Sequence, residues 1–300
     1  MSMDPREDGP RLQDWIGRTQ VTSDNLSIVQ LRQMAALMDD VGRMREPMRA
    51  GPLPAGWHWL YFAPLQVQSR LGRDGHPQLG DFLPPVQLPR RMWAGSRLRW
   101  SRDFEAGMAV TQTSRIINVY EKSGRSGRMV FVTVEHRYAN NDGPILVEEQ
   151  DIVYRDAATD AEKQALEELG QQVRAGVHAF ERTGQTVMPW TADPVMLFRY
   201  SASTFNGHRI HYDVDFCREI EGYPGLVVHG PLIATLLADL ARRERPEARV
   251  TGFSFRAVRP TTDLHPFRVC GAPSADGRSA RLWAQDHEGW LTMQAEIQFA

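Results

Sequence analysis

Strand-like runs follow one another in this chain with only short turns between them. Residues 97–100, 109–121, 128–138 and 145–154 mix β-branched and aromatic side chains with polar ones, and 249–259, 266–272, 279–286 and 290–299 do so again. A parallel pair needs a crossover of about a dozen residues or more, usually a helix, whereas an antiparallel pair closes over a short loop. Gaps as short as these restrict each run to an antiparallel meander. Ser123-Gly-Arg-Ser-Gly127 and Asn140-Asn-Asp-Gly143 supply the small and amide residues that hairpin turns require. The class is α+β rather than α/β.

One apolar helix goes with each run. Within 28–38, Ile28, Val29, Leu31, Met34, Ala35, Leu37 and Met38 recur at helical spacing, and Thr22, Ser23 and Asp24 read as the N-cap cluster. The second helix is IATLLADLARR at 233–243. A Pro/Gly-rich passage, 47–89, interrupts the pattern, yet its Trp57, Trp59, Leu60, Tyr61 and Phe62 mark a buried element rather than a linker. Residues 161–180 are polar and rich in Ala, Glu and Gln, as a solvated helical connector would be. The two halves also end alike, GPILVEEQDIVY at 143–154 against GWLTMQAEIQF at 289–299. Each carries a basic-apolar segment earlier, RRMWAG at 90–95 and FRAVRP at 255–260. We read an internal duplication, with an N-terminal non-catalytic unit at 10–160, a connector at 161–189 and a catalytic unit at 190–300. A helix with four or five antiparallel strands is the hot-dog arrangement. Two of them give a double hot-dog, two antiparallel sheets each wrapped on a central helix.

At 300 residues the chain can bury two such cores. Its 35 basic and 37 acidic residues leave a net charge of −2, which argues against a nucleic-acid partner. MSMDPREDGP at the start is not a signal peptide, and no run of 18 apolar residues occurs, so no membrane span is expected. Cys217 and Cys270 make neither a CxxC nor a metal-ligand spacing, which fits a reducing cytoplasm without a disulfide framework.

The chemistry concentrates at 198–237, FRYSASTFNGHRIHYDVDFCREIEGYPGLVVHGPLIATLL. Asn206, His208 and His211 place an amide beside candidate bases. An apolar run then ends in His229-Gly230-Pro231, where a glycine N–H lies open to a ligand. These are the parts needed to add water to an activated double bond, or to remove it. The segment 200–211 resembles the motif of MaoC-like, R-specific enoyl-CoA hydratases and dehydratases. TFNGHRIHYD at 204–213 is similar to a branch that includes 3-methylfumaryl-CoA (mesaconyl-C4-CoA) hydratases, itaconyl-CoA hydratases and mitochondrial fatty-acid dehydratases.

That resemblance implies that an acidic residue and a histidine five positions later hold the catalytic water. Here the pair is Asn206 and His211. An amide orients water but cannot take its proton, so the base role falls to His211. The resemblance also implies that the Gly230 N–H, at the start of the central helix, polarises the thioester carbonyl. A close-packing glycine is the other reading of Gly230, and a turn residue the other reading of Asn206. His208 is read either as a substrate contact or as a surface residue, Asp213 as a helix cap, and His229 as packing without a catalytic role. Tyr200 and the arginines Arg91, Arg199, Arg209, Arg256 and Arg259 are candidates to bind substrate. The arginines would meet either a distal carboxylate or the CoA phosphates, and the sequence does not sort these uses.

The expected activity is a hydro-lyase acting on an unsaturated acyl-CoA, with a branched C5 dicarboxylic thioester such as mesaconyl-C4-CoA or itaconyl-CoA favoured and citramalyl-CoA as product. The alternatives are dehydration of 3-hydroxyacyl thioesters in fatty-acid metabolism, a hot-dog thioesterase, and a non-catalytic acyl-binding protein. No metal and no cofactor beyond the substrate's CoA is expected, and the protein is expected to be a cytoplasmic homodimer.

Overall fold

The computed structural model describes residues 11–46, 51–124, 127–156 and 186–300. Its strands are β1 (Thr19–Asn25), β2 (Arg90–Trp100), β3 (Ala109–Gly124), β4 (Gly127–Asn140) and β5 (Gly143–Arg155) in the first half. The second half has β6 (Thr186–Trp190), β7 (Val250–Ala257), β8 (Phe267–Pro273), β9 (Ser279–Gln285) and β10 (Leu291–Phe299). All ten join one antiparallel sheet in the order β1-β3-β4-β5-β2-β7-β10-β9-β8-β6. Outward from the centre, the first half runs β2, β5, β4, β3, β1 and the second runs β7, β10, β9, β8, β6. The second order is the first with each number raised by five, which is the internal repeat expressed as topology.

The seam is the β2–β7 pair, where Gly95 lies opposite Arg256 and Ser96 opposite Phe255. The two segments matched by sequence, 90–95 and 255–260, touch at this seam through Gly95 and Arg256. A Cβ on residue 95 would run into the Phe255 carbonyl, so the seam needs a glycine there.

Four helices accompany the sheet, α1 (Ile28–Leu37), α2 (Val41–Arg45), α3 (Pro194–Thr204) and α4 (Gly230–Glu244), with α1 packed on α2 and α3. α4 is apolar almost all round and is buried from Pro231 to Ala241, packed on β7 to β10 as a central helix should be. The first half differs from the expectation of one central helix per sheet. α1 is ten residues long and shares its inner face with the chain around Trp57, Leu60 and Tyr61, all buried.

Two further expectations need correction. Thr22, Ser23 and Asp24 are not the cap of α1. They lie in β1, and Ser27 caps the helix by accepting from the Val29 N–H at 3.2 Å, while Asp24 accepts the Phe62 N–H at 2.9 Å. The strands also number two more than the sequence pattern predicts, β1 and β6 being the additions. β1 is polar with little alternation, and β6 carries Pro189, which edge strands tolerate because no further strand is added there. Of the expected connector 161–189, residues 161–185 lie outside the described residues, and 186–189 are not connector but belong to β6, so the second unit begins earlier than residue 190. Cys217 and Cys270 are both buried and free. Among the described residues no helix is long and apolar enough to cross a membrane.

Candidate active site

α3 delivers the motif. Asp193 caps it by accepting the Met196 N–H at 2.8 Å, and Pro194 occupies the first turn, where no N–H is needed. The helix stops at Phe205, a non-glycine residue with φ of 51°, which turns the chain sharply into Asn206. The Asn206 N–H returns to the Ser201 carbonyl at 2.8 Å, and its Oδ1 accepts the His208 N–H at 3.0 Å. The turn reading of Asn206 is thus realised, and it leaves the side-chain NH2 as the part free to hold water.

His211 is buried, and its Nδ1 lies 2.7 Å from the Val227 carbonyl. A carbonyl only accepts, so Nδ1 carries the hydrogen and Nε2 keeps the lone pair of a base. Burial lowers its pKa to about 4, against the Val227 bond, which pulls upward. His211 stacks face to face on His229, with centroids 3.6 Å apart. His229 Nε2 in turn meets Ser201 Oγ at 2.8 Å. His208 is buried too, edge-on to His211 at 5.4 Å, which removes the reading of it as a surface residue. Asp213 does act as a cap, accepting the Phe216 N–H at 2.9 Å.

The Pro/Gly-rich passage of the first half supplies a part that sequence reasoning missed. His76 packs on His208 at 4.2 Å between centroids, and its Nδ1 meets Asp74 Oδ2 at 2.8 Å. The loop is fastened to the motif by backbone, with the Arg209 N–H donating to the Asp74 carbonyl at 2.9 Å. Gly75, with φ of +89°, lies so close that a Cβ would collide with the Gly207 carbonyl. We expect Gly75→Ala to destabilise the fold by about 1–3 kcal/mol, since neither backbone has room to yield. Urea unfolding measures the loss. The signal in the sequence was Asp-Gly-His, an acid and a histidine on either side of a turn glycine.

Asp74, His76 and His208 present ligand atoms within 4.8 Å of one another, close enough to be considered for a metal. The charges around them are mixed, the Asp74 carboxylate within the cluster and the Arg91 guanidinium beside it. Burial first, and then the Arg91 guanidinium, lower the pKa of His76, and Arg91 acts in the same direction on His208. Burial alone would raise the Asp74 carboxyl, but the His76 hydrogen bond and charge hold it well below the usual range.

A cavity of about 850 Å³ runs between the halves, lined at this end by His76, Arg91, Tyr200, Ser201, Asn206 and Pro231. His208, His211 and Gly230 adjoin that lining as chain neighbours of Gly207, Tyr212 and Pro231, which line the cavity. A Cβ on residue 230 would be no closer than 3.9 Å to Met293 or Trp93, so close packing does not account for the glycine. Its N–H belongs to the first turn of α4, whose amides have no intrahelical partner.

The arginine candidates separate. Arg91, opposite Tyr154 in the β2–β5 ladder, faces the cavity and has no carboxylate partner among the described residues. Arg209 also lines the cavity, but its guanidinium is held by Asp213 at 2.6 and 3.0 Å. The others lie elsewhere. Arg199 is exposed beside Trp190 and Arg243, Arg256 is exposed opposite Gln294 on β10, and Arg259 covers the Trp290 ring.

The far end of the cavity, in the first half, is unexpectedly polar. Glu148 is buried and accepts from His58 Nε2, Trp59 Nε1 and Ser96 Oγ at 2.8–3.1 Å. His136 beside it meets Ser114 Oγ and Gln150 Oε1. Burial opposes ionisation of Glu148, yet the bond and charge of His58 keep its pKa below the ordinary value.

Comparison with known proteins gives concordant results. A family model described as hydroxyacyl-thioester dehydratase type 2 matches residues 56–263. A mesaconyl-C(4)-CoA hydratase of Chloroflexus aurantiacus is 42% identical over 284 residues, 95% of this chain and 96% of the relative. Among solved structures, a MaoC-like dehydratase superposes with a TM-score of 0.69 at 12% identity, covering 96% of this chain and 99% of its own. A Mycobacterium tuberculosis protein described as having a double hotdog fold gives 0.58 at 12% identity, with 97% and 99% covered. The double hot-dog read from the sequence is the fold of this chain.

Proposed function

The chain belongs to the hydroxyacyl-thioester dehydratase type 2 family of MaoC-like proteins, and from that membership we propose that it hydrates the 2,3 double bond of an unsaturated acyl-CoA. The observation that carries the reading is the tautomer of His211. With Nδ1 fixed on Val227, Nε2 is free to take a proton from water while the Asn206 amide holds that water. Water oxygen bonds to Cβ, and the π electrons move onto the thioester oxygen. The Gly230 N–H, at the positive end of α4, receives that oxygen. The resulting enolate takes a proton at Cα.

A branched C5 dicarboxylic thioester, mesaconyl-C4-CoA first, is the substrate we favour. Arg91 supports it as a guanidinium that has no carboxylate partner among the described residues and stands beside the reacting groups, suited to a carboxylate near the double bond. Glu148 and His58, buried in the first-half lining beside His136, put polar groups among the apolar ones that a long alkyl chain would need. That weighs against the fatty-acid alternative. Two buried, free thiols accord with a reducing cytoplasm.

Purified protein should consume the enoyl-thioester absorbance of the C5 dicarboxylic substrate faster than that of straight-chain enoyl-CoAs. A thiol-reactive dye read in the same reaction should stay silent. Release of free thiol at the rate of substrate loss would make the protein a thioesterase instead.

A further inference from the structure

Hydration needs a group that takes a proton from water and a source of the proton that reaches Cα. Asn206 stands where a carboxylate would serve, and an amide exchanges no proton at neutral pH. Resting on the hydratase reading above, we propose that Asp74 and His76 are the second acid-base pair of this site, His76 acting at Cα and Asp74 positioning it.

The geometry has three parts. Asp74 Oδ2 holds His76 Nδ1 at 2.8 Å, so that nitrogen is committed and Nε2 is the working atom. His76 lines the cavity and stands on the opposite side of His208 from His211. The loop is not free to wander, because Gly75 abuts Gly207 and the Arg209 N–H holds the Asp74 carbonyl. A carboxylate and an imidazole with one nitrogen fixed by it is the arrangement that makes an effective base and, once protonated, an effective acid.

Water gives its proton to His211 Nε2 as its oxygen bonds to Cβ. The enolate then takes the Nε2 proton of imidazolium His76 onto Cα, and the carbonyl reforms. His211 returns its proton to water in the cavity, and His76 regains one from it. In the dehydration direction neutral His76 removes the Cα proton and Asp74 steadies the charge that develops.

The groups facing His76 are Asp74 on its own loop, Arg91 on β2, and His208 and His211 on the motif. Burial and Arg91 keep unliganded His76 below its ordinary pKa, and Asp74 pulls upward. A substrate carboxylate on Arg91 cancels that second cause, so binding the right substrate itself favours the charged form of His76.

The test measures kcat and KM against pH with the C5 dicarboxylic enoyl-CoA for wild type, His76→Gln, Asp74→Asn and His211→Ala. Two groups give a bell-shaped profile, whereas a single base gives an acid limb alone. We expect His76→Gln to lower kcat about 10²-fold with KM within about threefold and to erase the basic limb. Asp74→Asn, which keeps the shape, should move the basic limb to lower pH. Far-UV circular dichroism and thermal unfolding establish that each variant is folded, and added imidazole should partly restore a His76→Ala variant. The pair has no acid-base role if His76→Gln keeps kcat within threefold while His211→Ala is inactive. It is equally excluded if both loop variants lose activity with an unchanged pH profile and a lowered unfolding temperature. A wild-type protein that hydrates none of the thioesters overturns the hydratase reading instead, so the two failures are distinct.

Discussion

His211→Ala should lower kcat for hydration by about 10²- to 10⁴-fold, the range over which a positioned acid-base group contributes. The residue is buried, and a neutral ring is replaced by a methyl group, so the protein should still fold, with the loss falling on turnover rather than on KM. Stopped enoyl absorbance with retained CoA binding is the expected pair of results. In the wild type the lowered pKa has a definite sign. The ring is neutral at pH 7 and gains a proton only as pH falls toward about 4, so activity should survive into mildly acidic buffer before His211 fails as a base. A variant that turns over at the wild-type rate would remove His211 from the chemistry altogether.

Arg91→Met should reduce kcat/KM for the C5 dicarboxylic substrate by about 10²-fold, the equivalent of about 3 kcal/mol for a lost charge-assisted contact. A straight-chain enoyl-CoA has no second carboxylate to lose, so its kcat/KM should change less than about tenfold. The preference between the two substrates should therefore collapse, and this ratio is the quantity to measure. Arg91 is suited to the experiment because no carboxylate on the protein depends on it among the described residues. Removing Arg209 would instead strip Asp213, which also caps the segment beginning at Phe216, and so confuse binding with folding. Equal losses on both substrates would assign Arg91 to the CoA moiety.

The strands, their antiparallel pairing and the helix at 230–244 were legible because period-two patterns, turn residues and a continuous apolar run report directly on backbone geometry. β1 and β6 were not, because an edge strand with one neighbour has no need of apolar alternation, and Pro189 even argues against a strand. Of the candidate site, Asn206, His208, His211 and Gly230 were singled out from one contiguous stretch. Asp74 and His76 were not, since their meaning depends on Gly75 approaching Gly207, a contact between distant parts of the chain. The arginines show the same limit. Five stood near informative sequence, and which of them faces the cavity is decided by strand register and by which carboxylates lie alongside. Glu148 escaped notice for a related reason. It reads as an ordinary polar position on a strand, and becomes a buried charge only when His58 and Trp59 fold over it.

The abutment of Gly75 on Gly207 has a consequence for how the protein comes into being. Arg209 reaches the Arg73 carbonyl across 136 positions of chain, so this wall of the cavity joins an early-made segment to a late-made one. A ribosome that has finished only the first half has released a loop with nothing to dock on. A fragment starting after the loop has the motif with one side missing. Completed synthesis and correct docking of the halves thus meet at this wall, where Gly75 abuts Gly207 and Arg209 holds the Arg73 and Asp74 carbonyls.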